Sequence, residues 1–260
     1  MPHDAKMGEV LLVGAGPGAA DLLTVRAMRA IETAGALLYD ALVCDEVVAL
    51  APRGCIRLRT GKRAGEASMK QETINRLMLT LARRGLKVVR LKGGDPSVFG
   101  RSGEERDYLE AHGVSVQVIP GITAASAAAA QFAFPLTHRA EARRLVLATA
   151  RIADGALQTE GWPGLAERDT TLALYMARDA AGAVAERLIG EGRGAETPCL
   201  VVENAGRPEA RAEFSPLRAL ADTVAEMAPK GPVLLVIGAV ALKARLDRAA
   251  SKPLTFAHGT

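Results

Sequence analysis

The chain has 260 residues, room for one large α/β domain or two ordinary ones, and 49% hydrophobic with 24% charged residues describe a water-soluble fold with ample core. Aromatic residues make up only 3%, so the core is built from Ala, Leu and Val, which argues against a protein that stacks nucleic-acid bases on aromatic platforms. The net charge of +4 is spread among both signs, which fits a solvated mixed surface or a basic pocket for an acidic small substrate, with no nucleic-acid partner.

The opening MPHDAKMGEV has no apolar signal core, and no apolar run reaches membrane-spanning length, which predicts a cytoplasmic protein with no membrane partner. GEVLLVGAG (8–16) reads as a strand ending in glycines, followed by a helix through LLTVRAMRAIETAG and a strand ALLYD (36–40). CIRLRTG follows, then a helix over 71–84 with Ile74, Leu77, Met78 and Leu81 on one face. KVVRLKGG is a strand, EERDYLEAHG a helix closed by Gly113, and VSVQVIPG another strand. Such a βαβ series predicts a mostly parallel sheet covered by helices.

After GITAASAAAAQFAFPLTHR, whose AASAAAA reads as a tightly packed helix, the series restarts. RRLVLATA, TLALYMA, PCLVVENA and GPVLLVIGAVAL read as strands, with RDAAGAVAERLIGEG and LRALADTVAEMA as helices between them. The polar segment PLTHRAEAR (135–143) separates the two series, so the expected domains are 1–136 and 137–260. Cys44, Cys55 and Cys199 are widely spaced without a C-x-x-C and read as buried thiols, not a disulfide frame or zinc site. His138 stands alone beside Arg139, and no metal site is read.

Two glycine turns stand out. In VGAGPGAADLL (13–23), Gly14, Gly16 and Ala19 fall on G-x-G-x-x-A, and Asp40 lies about twenty residues on, where a ribose-binding acid would sit. Against a dinucleotide site, Pro17 removes an N–H from the turn and Asp21 would repel a phosphate. The second turn is LKGGDPSVFGRSGEE (91–105): Gly93 and Gly94 permit close approach of a ligand, Asp95-Pro96 make a tight turn, and Ser102 with Glu105 reads as a capping box. Strand carboxyl ends are where open α/β sheets bind ligands.

Taken together, VGAGPGxxxLLT, YDxLV, GKRAG…Q, RLKGGDPxVFGRxGEE, PGIT, PLTHR, YM and VEN closely resemble the tetrapyrrole (porphyrin and corrin) methyltransferases, from about residue 8 to about residue 242. GGDPxVFGRxGEE and PLTHR carry the resemblance; the first glycine turn alone does not. It implies an α/β fold of two α/β domains, with S-adenosylmethionine held in the cleft between them largely by backbone groups. The matching positions are Pro17, Gly93, Gly94, Asp95, Val98, Thr123, Ala124, Met176 and Ala205.

Within the family the resemblance is to the members that methylate uroporphyrinogen III twice, giving precorrin-2 by way of precorrin-1 for sirohaem, cobalamin or haem d1. It also implies a homodimer, no metal, and the single-function form without an amino-terminal dehydrogenase and ferrochelatase module. Asp40 and Lys62 match positions assigned as proton acceptor and donor, while Arg101, Glu104 and Met176 match positions placed against the tetrapyrrole. The two sets are alternative proposals for the acid–base work. Each residue also has a plainer role: Asp40 as a helix cap, Lys62 as a loop charge, Glu104 and Glu105 as helix-dipole partners, Met176 as core filler. Ala67, Lys70, Ser97, Ala150-Arg151, Ala177 and Ala205 depart from the usual family pattern around the site. Three alternatives stand beside the main reading: a later corrin-ring methyltransferase, a tetrapyrrole binder without turnover, and an NAD-dependent oxidoreductase.

Overall fold

Strand β1 (Val10–Gly14) is buried at every position, because the sheet around it is covered on both faces. The computed structural model describes residues 7–61, 69–150, 152–153, 156–157 and 165–248. In order, β1 is followed by α1 (Val25–Glu32), β2 (Ala36–Tyr39), α2 (Asp45–Ala49), β3 (Ile56–Arg59), α3 (Gln71–Arg83), β4 (Val88–Lys92), α4 (Ser102–Glu110) and β5 (Val116–Ile119). Then come α5 (Ala124–Gln131), β6 (Arg144–Thr149), a small hairpin of β7 (Ile152–Ala153) and β8 (Ala156–Leu157), and β9 (Thr170–Tyr175). The remaining elements are α6 (Ala181–Gly190), β10 (Pro198–Glu203), β11 (Arg211–Pro216), α7 (Leu220–Met227) and β12 (Val233–Ile237).

The chain forms two units, one ending at Thr123 and the other starting at Ala124. This division precedes the polar 135–143 segment where the sequence places the boundary. The reason is α5, whose Ala125 and Ala128 pack with Phe132, Leu200 and Val236 in a core of the second unit.

Among the described residues, the first unit holds a parallel five-stranded sheet in the order β3-β2-β4-β1-β5. Alternation along the strands splits its core in two. Leu11, Val13, Leu37, Val89 and Leu91 face one side, where Ala27 and Ile31 of α1 and Val47 of α2 cover them. Val10, Leu12, Leu38 and Val88 face the other side, covered by Ile74 and Met78 of α3 and Leu109 of α4. Each such buried Leu, Ile or Val stabilises the fold by roughly 1.5–3 kcal/mol.

The second unit holds a five-stranded sheet ordered β11-β10-β12-β9-β6, in which only β6 and β9 run parallel. Leu172, Leu174, Val201 and Leu235 pack under α6 and α7 on one face, while Ala173, Leu200, Val202 and Val236 pack under α5 on the other.

Several local expectations are corrected. Strand β11 pairs with β10 along its whole length although RAEFSP, exposed at half its positions, lacks a strand-like apolar run. Helix α2 is short and was hidden in a loop, and β12 ends at Ile237 because Gly238, at φ 142, turns the chain into a 3-10 segment. Cys55 and Cys199 are buried free thiols, whereas Cys44 is only partly buried and donates to the Gly18 carbonyl at 2.8 Å.

Candidate active site

In the first unit, β1 and β4 are neighbours whose following helices leave to opposite faces: α1 packs on one side of the sheet, α4 on the other. The crevice at their carboxyl ends is a topological switch point, the place where open α/β sheets take ligands. Register puts Gly14 beside Lys92 and Tyr39 beside Leu91, so the turns after β1 and β4 and Asp40 after β2 share one rim.

Both glycine turns are spent on each other. Gly16 N–H donates to Gly94 O at 3.2 Å, Gly94 N–H to Gly16 O at 2.7 Å, and Ala15 N–H to Lys92 O at 2.8 Å. Pro17 has no N–H. The first turn therefore offers no row of free donors to a pyrophosphate, and no α-helix starts there, since α1 begins only at Val25. A Cβ on Gly14 would stand 2.5 Å from Gly121 N, so that glycine serves strand-end packing. The dinucleotide alternative loses its physical basis.

Gly94 differs. Its φ of +71 requires glycine, yet an added Cβ would find nothing closer than Ile122 O and Thr123 Cα at 3.9 Å. The backbone there is bare beside open space. Asp95 braces the turn: Oδ2 accepts from Gly121 N–H at 2.9 Å, and Oδ1 accepts from the N–H of Ser97 at 2.8 Å and from its hydroxyl. Val98 N–H closes back on Asp95 O at 3.2 Å.

Beside these turns lies a buried charge network. On β4, Val88, Arg90 and Lys92 alternate onto the face of α3 and α4, so two cations point into the interior, each 3% exposed. Arg90 Nε donates to Glu105 Oε1 at 3.1 Å, Nη1 to Thr60 Oγ1 at 3.1 Å, and Nη2 to Asp40 Oδ1 at 2.5 Å. Lys92 Nζ donates to Glu105 Oε2 at 2.7 Å, and Gln71 Nε2 to Glu105 Oε1 at 3.0 Å. Burial, with Arg90 beside it, holds the Lys92 ammonium below its ordinary value, opposed by Glu105. Asp40 is thus no helix cap; the residue before α2 is Cys44.

The capping box is also corrected. Arg101, not Ser102, occupies the position before α4, at φ 55, and no side chain caps the helix. Glu105 is drawn instead to the buried cations of β4. Phe99 shares the left-handed backbone at φ 55, a conformation costing roughly 1–3 kcal/mol and found most often at functional turns. Arg101 faces Glu104 in a two-pronged pair, Nε to Oε1 at 2.9 Å and Nη2 to Oε2 at 2.7 Å, with both side chains more than half exposed. The Arg101 hydrogen bond lowers the Glu104 carboxyl below its usual range.

In the second unit, Tyr175 ends β9 and its hydroxyl accepts from Ala125 N–H at 3.1 Å, next to Ala124. Met176 follows at φ 54 with 68% exposure, so it is not core filler. Glu203 ends β10, nearly buried, and accepts from Lys230 N–H and Gly231 N–H at 2.6 Å each and from Arg211 Nε at 2.5 Å. These bonds, with the left-handed Asn204 (φ 55), set the turn that carries the buried Ala205.

The profile of the Tetrapyrrole (Corrin/Porphyrin) Methylases matches residues 9–221. The chain belongs to this family. It is 44% identical over 234 residues to the siroheme synthase of Azotobacter vinelandii and 45% over 249 residues to that of Xylella fastidiosa. Those matches cover 90% and 95% of this chain but 50% and 52% of the relatives, so the chain spans about half the length of these curated relatives. Its fold is similar to the cobalt precorrin-4 methyltransferase CbiF, with a TM-score of 0.81 at 28% identity over 92% of this chain and 97% of that one. It is also similar to the Uroporphyrin-III C-methyl transferase of Thermus thermophilus complexed with S-adenyl homocysteine, with a TM-score of 0.75 at 40% identity over 90% and 98%.

Of the residues singled out in this tetrapyrrole methylase, the structure gathers Pro17, Gly93, Gly94, Asp95, Val98, Asp40 and Arg101 on elements ending at the sheet rim of the first unit. Lys62, Ala67 and Arg151 lie outside the described residues. Among the described residues no group of His, Cys, Asp and Glu could hold a metal ion, and no helix is long and apolar enough to cross a membrane. Sequence reasoning missed Arg90, Lys92 and Thr60 as partners of Asp40. The available signal was RLK within an otherwise apolar strand, since a period of two puts both cations on a covered face.

Proposed function

We propose that this methylase transfers two methyl groups from S-adenosylmethionine to ring carbons of uroporphyrinogen III, giving precorrin-2 by way of precorrin-1. The observation that carries the reading is the 40% identity, over nine-tenths of the chain, to a Uroporphyrin-III C-methyl transferase complexed with S-adenyl homocysteine, against 28% to CbiF. The shared backbone accounts for both fold matches, while identity follows side chains. The siroheme synthase relatives support a place in the sirohaem branch.

The residues present fit the methyl donor. The open space over Gly94, bounded by backbone of Ile122 and Thr123, suits a ligand gripped through backbone groups. Pro17, Gly93, Gly94, Asp95, Val98 and Thr123 would hold it, and the family resemblance adds Ala124, Met176 and Ala205 as proposed contacts. When bound, S-adenosylmethionine supplies an electrophilic methyl on a sulfonium, and S-adenosylhomocysteine leaves. The rest of the chemistry falls to side chains. Arg101 recognises a substrate carboxylate, exchanging its exposed bond to Glu104 for it; such surface pairs are weak enough to be exchanged. After the ring carbon takes the methyl, a proton leaves the neighbouring bridge carbon. Among the described residues, both hydrogen bonds on the Asp40 carboxylate fall on Oδ1, so Oδ2 is the oxygen proposed to take up that proton.

The test compares substrates. With labelled S-adenosylmethionine, uroporphyrinogen III should be methylated far faster than a later corrin-ring intermediate. Preference for the later intermediate would replace this reading with that of a corrin-ring methyltransferase. Tight uroporphyrinogen III binding without methyl transfer would favour a tetrapyrrole binder.

A further inference from the structure

Arg90, Lys92, Glu105 and Asp40 form a balanced set of two cations and two anions under the sheet rim, and three of them are almost wholly removed from solvent. Side-chain exposure is 3% for Arg90, 4% for Lys92 and 0% for Glu105, but 31% for Asp40, so the network surfaces only at that carboxylate. Stability does not explain such a cluster. Burying ion pairs costs desolvation that packed apolar side chains avoid, and Val88 shows that this strand face accepts them.

Geometry explains it better. The Arg90 fork points three ways, to Glu105, to Thr60 and to Asp40, and a planar guanidinium holds such directions rigidly where an ammonium cannot. Glu105 is itself fixed by Lys92 and by Gln71, which also donates to Asn75 at 3.0 Å. Arg90, Lys92, Glu105 and Thr60 are buried, Asp40 is only partly so, and Asp40 Oδ1 receives both the Arg90 guanidinium and the Thr60 hydroxyl, the latter at 3.3 Å. Burial and Arg90 lower the Lys92 ammonium, and the Glu105 carboxylate opposes them.

We propose that Arg90 and Glu105 are a positioning pair: Glu105 locks the guanidinium, and the guanidinium sets the orientation of the Asp40 carboxylate that receives the substrate proton. This rests on the acid–base role given to Asp40 above. Among the described residues, the groups facing Asp40 are Arg90 and Lys92 from β4, Thr60 after β3 and, through Arg90, Glu105 from α4.

The test is a double-variant cycle on the intact chain, reading single-turnover methyl transfer to uroporphyrinogen III. S-adenosylhomocysteine affinity by calorimetry and Tm are read alongside. Glu105→Gln should slow transfer roughly 10- to 100-fold, the scale of a misplaced reacting group, and leave S-adenosylhomocysteine affinity unchanged. The loss should sit in the transfer rate, with half-saturation by uroporphyrinogen III unchanged. In an Asp40→Asn background, where the base is already gone, Glu105→Gln should cost nothing further. Two results overturn the positioning pair: losses that multiply in the double variant, or a lower Tm with full turnover by the folded enzyme. Full activity in Asp40→Asn alone is a different failure, removing the acid–base role of Asp40 and the pair with it. Should Glu105→Gln not fold, Thr60→Val, which keeps the shape and removes the hydroxyl, enters the same cycle. It should show a several-fold loss that vanishes in Asp40→Asn, and a loss that persists there overturns the pair.

Discussion

Gly16 and Gly94 exchange a reciprocal pair of backbone hydrogen bonds, 3.2 Å and 2.7 Å, which join the turn after β1 to the turn after β4. The pairing uses up the N–H groups that a dinucleotide would need, and it leaves one face of Gly94 bare. Gly94→Ala places a methyl in that space without touching protein, at a backbone cost of about 1 kcal/mol. The variant should fold, with a slightly lower Tm, and should lose S-adenosylhomocysteine binding by calorimetry. NAD and NADP should give no heat with either protein. Wild-type affinity in Gly94→Ala would make the turn structural only.

Arg101→Lys keeps the charge and removes the planar fork that pairs with Glu104 at 2.9 Å and 2.7 Å. An ammonium cannot make a two-pronged carboxylate contact, so tetrapyrrole turnover should fall roughly 100-fold. S-adenosylhomocysteine affinity should hold, since the proposed cofactor contacts are mostly backbone. Near-wild-type turnover would remove Arg101 from the substrate contacts.

Glu203 links the turn at Ala205 to the Lys230–Gly231 backbone, and its carboxyl is held below the usual range. Burial works against this, but hydrogen bonds from Gly231, Arg211 and Lys230 outweigh it. A carboxyl depressed in the folded state adds stability that is present above its unfolded value, about 4.3, and lost as pH falls through the lower folded value. Tm should therefore drop on acidification below that point. Glu203→Gln should lower Tm by several degrees at neutral pH, with the gap closing in acid. A gap independent of pH would show that the charge contributes nothing.

Assembly is a separate expectation. We expect a homodimer, and static light scattering should return twice the chain mass at micromolar concentration. A strict monomer there would contradict it.

How much was legible follows from where each signal sits. Strands β1, β2, β4 and β5 were readable because each carries a short apolar or β-branched run closed by Gly, Pro or Asp, and β1 needed no alternation with both faces covered, whereas IRLR of β3, exposed at three of its four positions, was not read as a strand. Strand β11 was not, because it lies at the edge of its sheet and exposes Arg211, Glu213 and Phe214, leaving no apolar pattern. Asp40, Arg101 and the Gly93-Gly94 turn were singled out from motif resemblance and turn chemistry, and the structure places them after strands that end at one sheet rim. Glu105 was misassigned for a physical reason: local spacing favoured a capping box, but two buried cations on β4 attract a carboxylate more strongly than a solvated backbone N–H does. Tertiary charge overrode a local rule, and only the fold shows which residue is opposite.

The central claim is double methylation of uroporphyrinogen III, and product mass tests it most directly. Incubation with uroporphyrinogen III and isotopically labelled S-adenosylmethionine, sampled over time, should show a singly methylated species that rises and then gives way to a doubly methylated product. Both methyl groups should carry the label, and S-adenosylhomocysteine should form in step with them. A protein that binds S-adenosylhomocysteine yet adds no labelled methyl to uroporphyrinogen III, or stops at one, would contradict the account.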